Sequence, residues 1–87
     1  SNLYNTMQER IIKLIWDFKG EDSFDTAKHH QAHLSDYLKR NNLKDETGIE
    51  KLTSGHAIAW LATPESKMIE LRDALTPHRA EVFEDND

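Results

Sequence analysis

The spacing of apolar residues along the chain changes period several times, and each change marks an element. Between residues 64 and 75, Met68, Leu71 and Leu75 recur at helical spacing. Thr63 suits the N-cap of that helix, Pro64 its first position and Glu65 its positive end, while Thr76-Pro77 stops it. A longer helix is predicted from about Phe24 to Asn41. Phe24, Ala27, Leu34, Tyr37 and Leu38 form its buried stripe, Ser23 or Asp22 its cap, and Asn41-Asn42 its close. Between the helices the period shortens. His56 to Thr63 is a short apolar run bounded by Ser54-Gly55 and Pro64, which reads as a buried strand. Thr47 to Thr53 reads as its hairpin partner. Arg79 to Glu84 alternates like an edge strand.

The start of the chain fits two periods. Tyr4, Met7, Ile11, Leu14 and Phe18 make a heptad stripe, whereas Ile12, Leu14, Trp16 and Phe18 alternate with Ile11, Lys13, Ile15 and Asp17. The density of β-branched and aromatic residues favours a strand over residues 10 to 18. The order is then β-α-β-β-α-β, a ferredoxin-like α+β fold with a four-stranded antiparallel sheet and two helices on one face. A helical start would leave a three-stranded sheet under three helices. The chain reads as a single domain over residues 1–87, with 1–9 an N-terminal extension and 84–87 a frayed acidic tail.

Alternation assigns the two faces of that sheet. Ile12, Leu14, Trp16, Phe18, Ala57, Ala59, Leu61, Ala80 and Val82 suit the side under the helices. His56, Ile58, Trp60 and Phe83 fall on the open side, joined by Ile11 and Ile15 with Lys13 and Asp17 between them. An isolated copy would expose a Trp, a Phe and several Ile together, the kind of patch that marks an interface. A homodimer through Ile58, Trp60 and Phe83 is the expectation. Cover by residues 1–9 or by the 42–47 loop is the other way to bury the patch.

Composition narrows the chemistry. With no cysteine there is no disulfide, thiolate nucleophile or Cys-based zinc site, which fits a cytoplasmic setting. The formal charge of −5 argues against nucleic acid as a partner, and the aromatics lack the basic interleaving of an RNA-reading sheet. No apolar run approaches the roughly 20 residues of a membrane helix. The glycines form no phosphate-binding loop, and Ser54-Gly55-His56 is no nucleophile elbow.

Histidine is the remaining chemical signal. His29 and His33 stand one turn apart on the outer face of the first helix, with Asp25 and Asp36 on the same stripe. His29, His33 and Asp36 are therefore a candidate set for zinc or another divalent ion. The same stripe is also what any solvated helix face looks like, and H-E-x-x-H is absent, so no cofactor is expected. His30 and Tyr37 sit at the stripe's edge, where rings pack and polar tips stay wet. His56 opens a strand, where it either bonds within the turn or lines an open-face pocket with Trp60, Lys13, Asp17 and Glu81. Such a set suits proton transfer or a small-molecule ligand, and equally the polar rim of a dimer interface. His78 is expected to meet solvent or the end of the preceding helix.

The segment Ala32-His33-Leu34-Ser35-Asp36-Tyr37-Leu38 resembles the first-helix segment of the YCII-like proteins, which belong to the dimeric α+β barrel group. The resemblance implies ferredoxin-like units that pair through their sheets. It also implies that His33 matches a helix histidine working with an aspartate. The family's later Asp-Pro-Phe-type segment has no counterpart, since Asp73-Ala74-Leu75 lies inside a predicted helix. Together these readings describe a small cytoplasmic binding or regulatory domain, dimeric through its sheet. The alternatives are a dimeric α+β barrel enzyme using His33, or His56 with Asp17, for acid–base chemistry on a small organic substrate, and a divalent-metal-binding protein.

Overall fold

Strand chemistry prevails at the start of the chain, where Ile11–Lys19 form β1. A computed structural model describes residues 9–83. The elements that follow are α1 (Ser23–Arg40), β2 (Glu46–Thr53), β3 (His56–Pro64), α2 (Glu65–Leu75) and β4 (Arg79–Phe83). Tyr4, Met7 and the rest of residues 1–8, like the 84–87 tail, lie outside the described residues. The four strands pair antiparallel in the order β2-β3-β1-β4. This is the ferredoxin-like α+β fold.

The period-2 pattern decides which side chains meet the helices. Ile12, Leu14 and Trp16 of β1 pack with Ala59 and Leu61 of β3 beneath Leu34 and Leu38 of α1 and Leu71 of α2. Leu14 and Leu61 are fully buried and Leu34 and Leu71 nearly so. Each such burial is worth about 1.5–3 kcal/mol. Alanines at 57 and 59 put little bulk on β3 beneath α1. That helix crosses β3 with its flanks on β2 and β1, while α2 lies on β1 and β3. Every residue of β4 is exposed, including Val82, which its pairing with Ile12 puts on the helix side.

The turns are fixed by a few backbone needs. Gly20 has φ +117°, a conformation L side chains avoid, and this lets β1 swing into α1. Its N–H donates to the Gly55 carbonyl at 2.9 Å and its own carbonyl accepts from Ser23 N–H at 3.2 Å, tying the turn to the β2–β3 hairpin. At α2 the structure corrects the expected cap. β3 runs through Pro64, so Thr63 stays extended and buried, and Pro64 is the N-cap without a side-chain hydrogen bond. The cap comes from far away in sequence. The Glu9 carboxylate accepts from Ser66 N–H at 2.9 Å and from Ser66 Oγ–H at 3.1 Å, and Arg10 pairs with Glu65. A carboxylate here also suits the positive helix end. At the other end Thr76 takes φ 47° and Trp16 Nε1–H donates to the Leu75 carbonyl at 3.1 Å.

Candidate functional site on the open sheet face

The cross-strand register sets the open face out in rows. One row runs Glu46, Ala62, Lys13, Glu81; the next Gly48, Trp60, Ile15, Arg79; the next Glu50, Ile58, Asp17; and the last pairs His56 with Lys19. Sequence alternation therefore assigned the face correctly. It overstated the greasiness. Ile15 and Ile58 are only 1% and 3% exposed. They sit on the two central strands, ringed in the register by Trp60, Arg79, Asp17 and His56. What remains accessible is the half-buried Trp60, the exposed Phe83 and a set of charges.

Those charges fall into two groups. The first is built on Asp17. Its carboxylate accepts from Arg79 Nε–H at 2.9 Å and from Arg79 Nη2–H at 3.1 Å, a fork that only a guanidinium supplies. The same carboxylate lies 2.7 Å from His56 Nε2. Arg79 also donates to Glu81 at 2.7 Å. The hydrogen bonds from Arg79, helped by those from His56 and by both positive charges, hold the Asp17 carboxyl down at about 2, against the upward push of its partial burial. Asp17 in turn raises the Arg79 guanidinium. An imidazole gripped at Nε2 by an ionised carboxylate is oriented for proton transfer through Nδ1.

The second group is built on Lys13. Its Nζ lies 5.0 Å from the Trp60 ring centroid and 5.4 Å from that of Phe83, and the two rings lie near-parallel with centroids 6.5 Å apart. The ring attraction for a cation is worth about 0.5–1 kcal/mol where exposed. Trp60 is held in place by its neighbour. A Cβ on Gly48 would come within 2.4 Å of the indole, so only glycine leaves the ring room there. Glu81, opposite Lys13 in the register, is engaged by Arg79, and Lys13 forms no ion pair among the described residues.

The remaining candidates lie elsewhere. His33 is on α1, across the sheet from Asp17 and His56, so the structure brings together His56 and Asp17 but not His33. His33 borders a shallow open depression with Asp36 and Arg40. The His29 and His33 rings approach to 4.7 Å, both exposed, yet among the described residues no three histidines or carboxylates are arranged to hold a metal ion. His30 lies half-buried with its ring packed, as expected at the stripe's edge, but its tip is not wet. Its ring packs on Trp16 at 5.0 Å and Phe18 at 5.5 Å, and its Nε2 is buried without a partner among the described residues. Burial lowers its pKa, with the charges of His33, His78 and His29 acting the same way. His78 does reach the surface, but its Nδ1 accepts a hydrogen bond from Asp17 N–H at 2.8 Å.

Arg79 is the site residue that sequence reasoning missed. Its place beside Glu81 and Phe83 on one face was visible, but the offset of β4 against β1 was not. No protein-family model, curated protein or solved structure matches the chain.

Proposed function

We propose that this domain is a binding module that works as a homodimer, two open sheet faces packed against each other. The observation that carries the reading is the uneven state of the face. Asp17, Arg79 and Glu81 are satisfied within one copy, whereas Lys13 in the centre and Glu46 and Glu50 on the β2 edge form no ion pair among the described residues. The unpaired charges are thus of opposite sign and displaced across the sheet. A two-fold pairing lays the acidic β2 edge of each copy over the Lys13 region of the other. The Trp60–Phe83 pair beside Lys13 supplies the aromatic surface that such interfaces favour. The resemblance to dimeric α+β barrel proteins supports the same arrangement.

Sedimentation of the whole chain up to high micromolar concentration tests this. A dimer is expected, weakened at least tenfold by Lys13→Glu and regained when Glu46→Lys and Glu50→Lys accompany it. A monomer throughout the range contradicts the proposal.

A second reading is favoured by one distance, the 2.7 Å between His56 Nε2 and Asp17. It makes the domain an enzyme in which His56 moves a proton on a small organic substrate, Asp17 orients the ring and Arg79 fixes Asp17. Deuterium exchange next to the carbonyl of small oxo acids, followed by NMR, is the measurement. Exchange that disappears in His56→Ala supports this reading, and exchange equal to buffer removes it.

A further inference from the structure

We propose that β4 is a releasable strand, latched to β1 by the neutral His78 ring and let go when that ring takes up a proton. This goes beyond the dimer reading and does not depend on it.

Little holds β4 in place. Its five residues are all exposed, and the helices pack on β1, β2 and β3. Among the described residues β4 pairs with β1 alone, from Ile11↔Phe83 to Ile15↔Arg79. Beyond that ladder three contacts secure its first end. His78 N–H donates to the Ile15 carbonyl at 2.9 Å, the Arg79 guanidinium grips the Asp17 carboxylate, and Asp17 N–H donates to His78 Nδ1 at 2.8 Å. The last contact gives the Asp17 N–H a side-chain acceptor just before the β4 ladder begins. An imidazole nitrogen accepts a hydrogen bond only when unprotonated. Protonation of His78 at Nδ1 therefore turns an attraction into two N–H groups facing each other.

Titratable and charged groups approach His78 from several elements. From α1, the half-buried His30 faces it across the Phe18 ring. From β1 comes Asp17, whose carboxylate is committed on the open face to Arg79 and His56. Arg79, next in β4, adds positive charge, offset by Glu81. α2 ends three residues before His78, and the charges of its last turn, Arg72 and Asp73, pair with each other. On the other side of β1, the contact of Asp17 with His56 Nε2 ties β1 to β3. Release bares the β1 edge, whose free peptide groups suit pairing with an extended segment.

Amide hydrogen exchange of the whole chain, corrected for intrinsic rates and compared at pH 8 and pH 5, tests the latch. Protection of Asp17 and of the β4 amides is expected to fall tenfold or more relative to β2–β3 amides at the lower pH. His78→Asn keeps an acceptor oxygen at the Nδ1 position and cannot titrate, so its β4 protection is expected to be the same at both pH values. The β2–β3 amides report whether each variant is folded. Protection that falls equally in all strands, or a β4 response that persists undiminished in His78→Asn, overturns the proposal.

Discussion

The two faces of this sheet are held by different physics. On the helix side, Ile12, Leu14 and Trp16 meet Ala59, Leu61, Leu34 and Leu71 in a dry layer where fit and volume decide. On the open side, position counts for more than volume. Asp17 is satisfied because Arg79 and His56 converge on it, whereas Lys13 lies near two rings and forms no ion pair among the described residues. Residues of one strand take part in both regimes alternately. Leu14 and Trp16 are interior, while Lys13 and Asp17 lie on the open face. A small domain has little core to spare, so the covered face carries most of the stability.

Substitutions on each face in turn separate the two kinds of packing. Leu61→Ala, at a fully buried position, is expected to cost about 2–5 kcal/mol, read from urea unfolding. On the open face the largest single effect is expected from Gly48→Val. Its side chain collides with the indole of Trp60, so the ring must leave its place at a cost of about 1–3 kcal/mol. A change in Trp60 fluorescence should accompany it, whereas Leu61→Ala should leave that signal in place until the protein unfolds.

Acid should separate the faces as well. Asp17 is held at about 2 against an ordinary value of 3.8, so its pairing is fully present above 3.8 and is lost as pH falls from there toward 2. Asp17→Asn is therefore expected to lose about 1–2 kcal/mol at pH 7 and almost nothing near pH 2. His30 acts on the covered face with the same sign. Its folded pKa lies below the ordinary 6.5, so the unfolded chain binds the proton more readily and stability declines as pH drops below 6.5. His30→Phe should flatten that part of the curve and leave the lower arm, due to Asp17, intact. The smallest effect is expected at the α2 cap, where Glu9→Ala removes two exposed hydrogen bonds, about 1 kcal/mol or less by thermal melting.

Much of this arrangement was legible in the sequence, and the parts that were not have a common cause. Alternation placed Trp60, Ile58 and His56 on one face and Ala57, Ala59 and Leu61 on the other, because side-chain direction in a strand depends only on parity. Composition tipped Ile11–Lys19 from helix to strand, since its β-branched and aromatic residues fit a pleated surface better than a helix. What escaped were relations between distant segments. The offset that brings Arg79 beside Asp17, and the reach of Glu9 to Ser66, follow from how strands slide past one another. No local rule records that. Thr63 shows the converse error. Judged by its neighbours it is a good cap, but the strand continues through Pro64 and keeps it extended. The wheel position of His30 foretold a packed ring at the stripe's edge, but not that its Nε2 would be buried without a partner among the described residues.

If the open face is an interface, the Trp60 indole and the Phe83 ring are its best reporters. Their NMR signals followed on dilution from high to low micromolar concentration test it most directly. The account predicts that these two and Lys13 shift together along one binding curve while Leu14, Leu34 and Leu71 stay still. Signals from the open face that do not move with concentration would contradict it.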